Sequence, residues 1–289
     1  MLNLNGQQVK SEQSIFKEGW KGFLSFSFVN SGKRTVVKDK RHYGPLVLQR
    51  PYYQEFDRPS VLVIHPPGGI VGGDTLELNI KMQDRSKGLV STPAATKFYR
   101  SKERIAKQVQ KIEMSSECEL EWLPQETLFF DKSVSENVLR FTLDDRKNKL
   151  IAWDIVGLGR PASGEGFDNG SLAQSLELII DGSLVFVDRL KIDGNSLLLQ
   201  SKAGLDSHML SATALFYCND VQAMQELKTS LQAQSWTLQV GISQMDSLVV
   251  LRVLGHELDA VKTVLYEAWK MARPLVMGVP VIRPRIWNT

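Results

Sequence analysis

The sequence predicts a mainly β protein: many antiparallel strands through residue 215, then a helix, two strands and a second helix. Two observations carry this expectation. Apolar and polar residues alternate at period two along much of the chain, which puts successive side chains on opposite faces of a sheet. Apolar residues at helical spacing occur only late.

Leu24, Phe26 and Phe28 alternate with Ser25 and Ser27, the pattern of a strand with one apolar face. Leu76, Leu78, Ile80 and Met82 alternate likewise with Glu77, Asn79 and Lys81. Cys118, Leu120 and Trp122 alternate with Glu117, Glu119 and Glu121, and Leu139, Phe141 and Leu143 follow. Asp181-Gly182 separates apolar runs at 176–180 and 183–190, and this residue pair suits the left-handed backbone of a two-residue hairpin. Asp193-Gly194 is a candidate to close another. Val221, Met224, Leu227 and Leu231 form a helical stripe behind the capping residues Asn219 and Asp220. Leu238, Val240 and Ile242 return to period two. Leu258, Val261, Leu265, Ala268 and Ala272 form a second helical stripe, which Pro274 is expected to end because it lacks an N–H. The tail from Val279 to Thr289, with Pro280 and Pro284, is expected to be extended.

At 289 residues the chain can bury a sizeable core without staples. Its 43% hydrophobic and 23% charged residues are ordinary for a globular protein. The polar N-terminus lacks the apolar stretch of a signal peptide, and no apolar run is long enough to span a membrane, so a cytoplasmic location is expected. In that compartment Cys118 and Cys218 are expected to be buried free thiols. A net charge of +3, from 35 basic and 32 acidic residues, is too balanced to argue for nucleic acid.

Four segments carry candidate chemistry. In His65-Pro66-Pro67-Gly68-Gly69-Ile70-Val71-Gly72-Gly73-Asp74, Gly68 and Gly73 have phosphate-loop spacing. A phosphate loop needs a lysine next and then a helix; here Asp74 and a strand follow, so a tight turn presenting Asp74 fits better. Gly157-Leu158-Gly159-Arg160-Pro161-Ala162-Ser163-Gly164-Glu165 likewise puts a carboxylate where lysine is needed, and Pro161 spoils a nucleophile elbow around Ser163. Thr96-Lys97-Phe98-Tyr99-Arg100 interleaves cations with aromatics, and an edge carrying partner contacts is preferred there to a nucleic-acid site. No Cys or His spacing suits a tight metal site. Glu117, Glu119 and Glu121, roughly 7 Å apart on one strand face, read as a solvated acidic face, with a salt bridge to a partner or a cation path as alternatives.

Taken in order, five segments resemble the UreD (UreH) family of urease accessory proteins. They are His65 to Gly69 with Gly72-Gly73-Asp74; Thr92-Pro93 with Thr96 to Ser101; Glu121 to Glu126; Trp153-Asp154 with Gly157 to Glu165; and Arg283-Pro284-Arg285-Ile286-Trp287. Ala94 stands where the family pattern has glycine. The resemblance covers about residues 19 to 289 as a single UreD-like domain and leaves 1–18 as a variable N-terminal segment.

The resemblance implies antiparallel strands in a helix-like stacked-sheet arrangement, with a few helices toward the C-terminus. It implies a non-catalytic scaffold that binds apo-urease, UreF and UreG and assists nickel insertion, with GTP bound by UreG rather than by this chain. Ni2+ would pass in transit, and no cofactor would be tightly bound; weak oxygen ligands suit release of an ion better than a His/Cys trap. Asp74, Asp154 and Glu165, inside the matched segments, are candidates for lining such a path, with Asp188 and Thr96 beside them. Lys97, Tyr99, Arg100, Arg283, Arg285 and Trp287 are candidates for partner contact. The competing readings are a β-rich hydrolase using clustered carboxylates near Asp154 and Glu165, and a nucleic-acid-binding module at Lys97 to Arg100. No nucleic-acid or membrane partner is expected.

Overall fold

The structure, a computed structural model, describes residues 19–160, 163–194 and 196–288. The variable segment 1–18 and Pro161-Ala162 of the second glycine-rich loop lie outside the described residues. In chain order the first strands are β1 (Lys21–Asn30), β2 (Thr35–Tyr43), β3 (Val47–Leu48), β4 (Ser60–Ile64), β5 (Thr75–Met82) and β6 (Lys87–Ser91). β7 (Thr96–Phe98), β8 (Ala106–Met114), β9 (Glu119–Trp122), β10 (Thr127–Phe129), β11 (Val134–Leu143) and β12 (Lys149–Leu158) follow. β13 (Ser171–Ile180), β14 (Ser183–Asp193) and β15 (Leu210–Tyr217) precede α1 (Val221–Gln232), and β16 (Gln239–Met245) and β17 (Leu248–Gly255) precede α2 (Leu258–Met277).

One sheet runs in the order β14-β13-β11-β8-β5-β1-β2, the other β16-β17-β15-β12-β9-β6-β4-β3, with β10 joining β7 to β12. From β4 to β13 the chain alternates between the two sheets. Each return lays a strand parallel to the one it left. The result is a coil of stacked strands, the helix-like arrangement that the resemblance implies. The mainly β character and the late helices stand; the antiparallel direction is corrected. The middle of each sheet is parallel, and antiparallel pairs lie toward the margins. Side chains alternate at period two in both kinds of ladder, so patterning says nothing of direction. Direction is set by the connections, and a crossover through the opposite sheet brings the chain back at the end where it started.

The runs expected as strands are β1, β5, β9, β11 and β16. Asp181 and Gly182 take the left-handed backbone (φ 50° and 72°) that a β13–β14 hairpin of two residues needs. Asp193-Gly194 closes no hairpin: β14 is an edge strand, and the chain crosses from there to β15 in the other sheet. α1 begins at Asp220, whose carboxylate accepts from Ala223 N at 3.0 Å. α2 continues through Pro274 and ends at Gly278 in left-handed backbone (φ 69°). Proline removes one hydrogen bond, but Val276 and Met277 in the following turn are buried, and their burial holds the turn in place.

The molecule has three layers. One core lies between the two sheets, and the second between the larger sheet and the helices. The tail beyond Val279 lies against the second core and ends in a short 3-10 turn, Arg285–Asn288.

The acidic run is also corrected. Glu121 is fully buried and Glu119 nearly so, both facing the helix layer rather than solvent. Glu121 accepts from Trp269 Nε1 at 2.7 Å and Arg273 Nε at 3.1 Å, and Arg58 pairs with Glu119 at 2.5 Å. Arg273 also bonds Glu55 and the carbonyl of Pro280. A buried charge must be paired, and here the pairing is internal: it fastens α2 and the tail to the sheet. Glu117, at the strand's entrance, pairs with Lys147 at the surface.

Candidate functional site

The space between the sheets is apolar at one end and polar at the other. Strand register places Phe26, Ile80, Ile112, Phe141 and Leu178 in one row across the smaller sheet, all buried. Four residues toward the N-terminal ends of the same strands lies a second inward row: Gly22, Leu76, Gln108, Asn137 and Gln174. Gln108 Nε2 donates to Asn137 Oδ1 at 3.3 Å, and Gln174 Nε2 donates to Asp154 Oδ2. The Nδ2 of Asn137 and the Oε1 of Gln174 are buried without a partner, as is the hydroxyl of Ser135 beside them on β11. Such atoms are costly in a dry core, and they indicate that water or a polar visitor belongs there.

Each end of this polar row opens on a cavity. The larger, about 520 Å³, is lined by Asp154, Gln174, Asp188, Thr213 and Arg252 among others. Asp154 projects inward from β12, between Ala152 and Val156, with protein on all sides apart from the cavity. Loss of hydration lifts its carboxyl to about 6; the Gln174 amide opposes the rise, and neighbouring Asp188 adds to it. Asp188 accepts from Thr213 Oγ1 at 3.0 Å and pairs with Arg252 at 3.3 Å. The smaller cavity, about 140 Å³, is lined by His65, Thr96, Lys97, Gln108 and Gln110 among others. Burial pushes the His65 imidazole below its ordinary value and Asp74 partly restores it, which favours the neutral ring at neutral pH.

Of the residues expected on a path, Asp154 and Asp188 share the larger cavity, and Thr96 lines the smaller. Asp74 lines neither: its carboxylate accepts from Trp20 N at 2.8 Å and Val71 N at 3.1 Å and so holds the glycine-rich loop. Glu165 lies in a surface notch with Tyr99 and Arg100, bound to Arg160 and to Asp131 N at 2.9 Å. Arg160 beside it holds the Glu165 carboxyl below its usual range despite partial burial. Of the residues expected at partner contacts, Lys97 lines the smaller cavity, while Arg283 and Arg285 are exposed. Trp287 is turned inward, its ring 5.5 Å from that of Trp153 and 5.2 Å from that of Trp269. The structure gives Trp287 the job of anchoring the tail. Among the described residues no three His, Cys, Asp or Glu side chains gather as a metal site, and no helix is long and apolar enough to cross a membrane.

The model of the family described as UreD urease accessory protein matches residues 21–288. The chain belongs to the UreD family. A Pseudomonas putida (strain W619) protein named Urease accessory protein UreD is 37% identical over 278 residues, covering 96% of this chain and 98% of the relative. Proteins of the same name from Citrobacter koseri and Alcanivorax borkumensis are 35% and 32% identical, each over 94% of this chain and covering 92% and 93% of their own lengths. Membership of the UreD family gives this chain a role in urease maturation.

Within this UreD chain, sequence reasoning overlooked His65, Gln108, Gln110, Asn137, Gln174, Thr213 and Arg252 as members of the site. For the amides a signal existed. On β8, β11 and β13 the inward parity is fixed by Ile112, Phe141 and Leu178, and counting back by twos arrives at Gln110, Gln108, Asn137 and Gln174. Polar residues on a face that is otherwise core mark an interior that is not dry.

Proposed function

We propose that this chain is a non-catalytic scaffold in urease maturation that binds apo-urease together with UreF and the GTPase UreG. Ni2+ passes through the polar seam between its sheets on the way to the urease metallocentre. Its setting is the cytoplasm, and GTP is held by UreG. The observation that carries the reading is the row Gln108–Asn137–Gln174, which joins the cavity of His65 and Thr96 to that of Asp154 and Asp188.

The chemistry suits transit better than storage. Amide oxygens, a threonine hydroxyl and single carboxylates are hard, weak ligands, and an ion held by one or two of them at a time is free to move on. Neutral His65 offers a nitrogen ligand without opposing positive charge. Asp154 gains a counter-charge when a dication arrives, which offsets the cost of ionising it between the sheets. Arg252 on Asp188 lends the larger cavity a positive charge that an entering dication must displace or pass.

The test is urease made in the native host with this gene deleted, then complemented. Urease protein that is present but inactive and nickel-poor, restored by the wild-type chain, is the expected result. In the complemented strain, Asp154→Asn with Asp188→Asn should lower nickel per urease at least tenfold while the complex still assembles. Full nickel loading by that double variant would remove the path from the proposal, and full activity in the deletion strain would remove the maturation role.

A further inference from the structure

We infer that the surface built on the glycine-rich loop is a docking site for a protein segment in which an apolar side chain is flanked by carboxylates. The inference rests on the reading that this chain works in complex with urease and its accessory proteins. It adds which face is used and what chemistry the partner presents.

Three large apolar side chains stand out of the surface here: Trp20 at 61% exposure, Ile105 at 54% and Val71 at 47%. Single exposed apolar residues are ordinary, but these three are tied into one frame. Asp74 accepts the amides of both Trp20 and Val71, Gly73 N donates to Ile105 O at 3.0 Å, and Thr75 N donates to Trp20 O at 2.8 Å. The Asp74 carboxylate is therefore a positioning group for this patch. Its neutral amide would keep at most one strong acceptor for two donors.

The glycines bring the patch against a cationic notch. A Cβ on Gly69 would fall 2.2 Å from the Tyr99 ring, and one on Gly72 would fall 1.9 Å from Ser101 Oγ. Only a loop bare of side chains can lie this flat on residues 99–101. Next to it, Tyr99, Arg100, Phe130, Lys132, Arg160 and Glu165 border a notch of about 380 Å³. Tyr99 meets Phe130 edge to face at 5.2 Å, and Arg160 lies over Phe130 at 4.7 Å. The carboxylates of the notch are already engaged: Glu165 by Arg160 and Asp131 N, and Asp131 by Asn169 N at 2.7 Å. Arg100 and Lys132 line the same notch; neither makes a side-chain hydrogen bond or ion pair among the described residues, and the Lys132 charge acts on neighbouring Asp131. Lys132 moreover sits in left-handed backbone (φ 62°), which favours glycine or asparagine.

An apolar patch held by backbone hydrogen bonds, beside a surplus of cations and an aromatic floor, has the anatomy of a protein-docking surface. The surplus of cations selects carboxylates, because Arg100, Lys132 and Arg160 share the notch with only Asp131 and Glu165. A nucleic-acid strand fits less well, because Asp131 and Glu165 interrupt the path of a phosphate backbone and the chain as a whole carries only +3.

The experiment measures binding of the full chain to purified apo-urease, UreF and UreG from the same organism. It compares the wild type with Ile105→Glu and with Arg100→Gln combined with Lys132→Asn. All three positions are at or near the surface and asparagine suits the left-handed backbone, so unchanged melting curves are expected of both variants. Each should weaken at least one pairwise affinity tenfold or more. Zero-length carbodiimide crosslinking of the wild-type complex should join Lys132 to an Asp or Glu of that partner. Affinities within twofold of wild type for both variants overturn the inference and leave the maturation reading intact, as do Lys132 crosslinks absent from an assembled complex. Displacement of the partner by a generic single-stranded oligonucleotide at low salt would assign the notch to nucleic acid and overturn it too. If the wild type binds none of the three proteins, the complex reading itself fails and the inference falls with it.

Discussion

Two rows of side chains on the same strands, four residues apart, have opposite characters. Phe26, Ile80, Ile112, Phe141 and Leu178 interdigitate in a dry core. Leu76, Gln108, Asn137 and Gln174 share the same inward direction, the same ladder and the same facing sheet, yet leave polar atoms unpaired between two cavities. A coil of parallel strands repeats its rows, so it can give one row to cohesion and another to a seam without altering the backbone. Stability comes from the first row. The second costs stability, and the proposed passage of an ion supplies a reason for its retention.

The largest effect that tests this contrast is in the dry row. Phe141 is fully buried, its ring 6.1 Å from that of Trp122 in edge-to-face contact. Phe141→Ala should destabilise the chain by about 3–5 kcal/mol in denaturant unfolding, through lost burial and the cavity left behind. A loss under about 1 kcal/mol would mean that the apolar row is not the source of cohesion.

Next in size is Asp154, on the polar side. Its folded carboxyl keeps a proton up to about pH 6, against an ordinary value of 3.8 in the unfolded chain. The folded state therefore binds more protons through that window, and stability falls as pH rises across it and stays lower above. Asp154→Asn escapes this fall. It should match the wild type near the acid end of the window and be more stable at neutral pH, by up to about 3 kcal/mol. Parallel stability–pH curves for the two proteins would show that the seam imposes no such cost.

How much of this was legible differs between the two rows for a physical reason. Alternation at Leu24–Phe28, Leu76–Met82 and Leu139–Leu143 gave strands and their buried faces, and Asp181-Gly182 gave the hairpin, because both signals are local. The parallel direction was not legible, since it resides in connections that pass through the other sheet. Asp154 and Thr96 are path candidates from within the matched segments, and Asp188 lies outside them. Nothing local distinguished them from Asp74 and Glu165, which the fold spends on backbone amides and on Arg160. Glu119 and Glu121 illustrate the same limit: their partners Arg58 and Arg273 are remote in sequence, so a buried ion network looked like a wet face. The amides of the seam were legible by parity from Ile112 and Phe141, but only once those residues are known to face a shared core.

The smallest expected change in stability is the most discriminating. Asn137 sits mid-seam, with its Oδ1 taking one bond from Gln108 and its Nδ2 unpartnered. Leucine has the branching and heavy-atom count of asparagine, is somewhat larger, and has no polar atom to strand. Asn137→Leu forfeits one long hydrogen bond and gains apolar burial, so unfolding free energy should move by no more than about 1 kcal/mol in either direction. On the proposed path the same change removes an amide oxygen from the stretch between the cavities. Nickel delivered to urease should fall several-fold while affinity for the partners is unchanged. A purely structural seam predicts the reverse, with loading untouched because the fold is untouched. Full nickel occupancy from a stable Asn137→Leu chain would thus separate the two rows' chemistry from any traffic between the sheets.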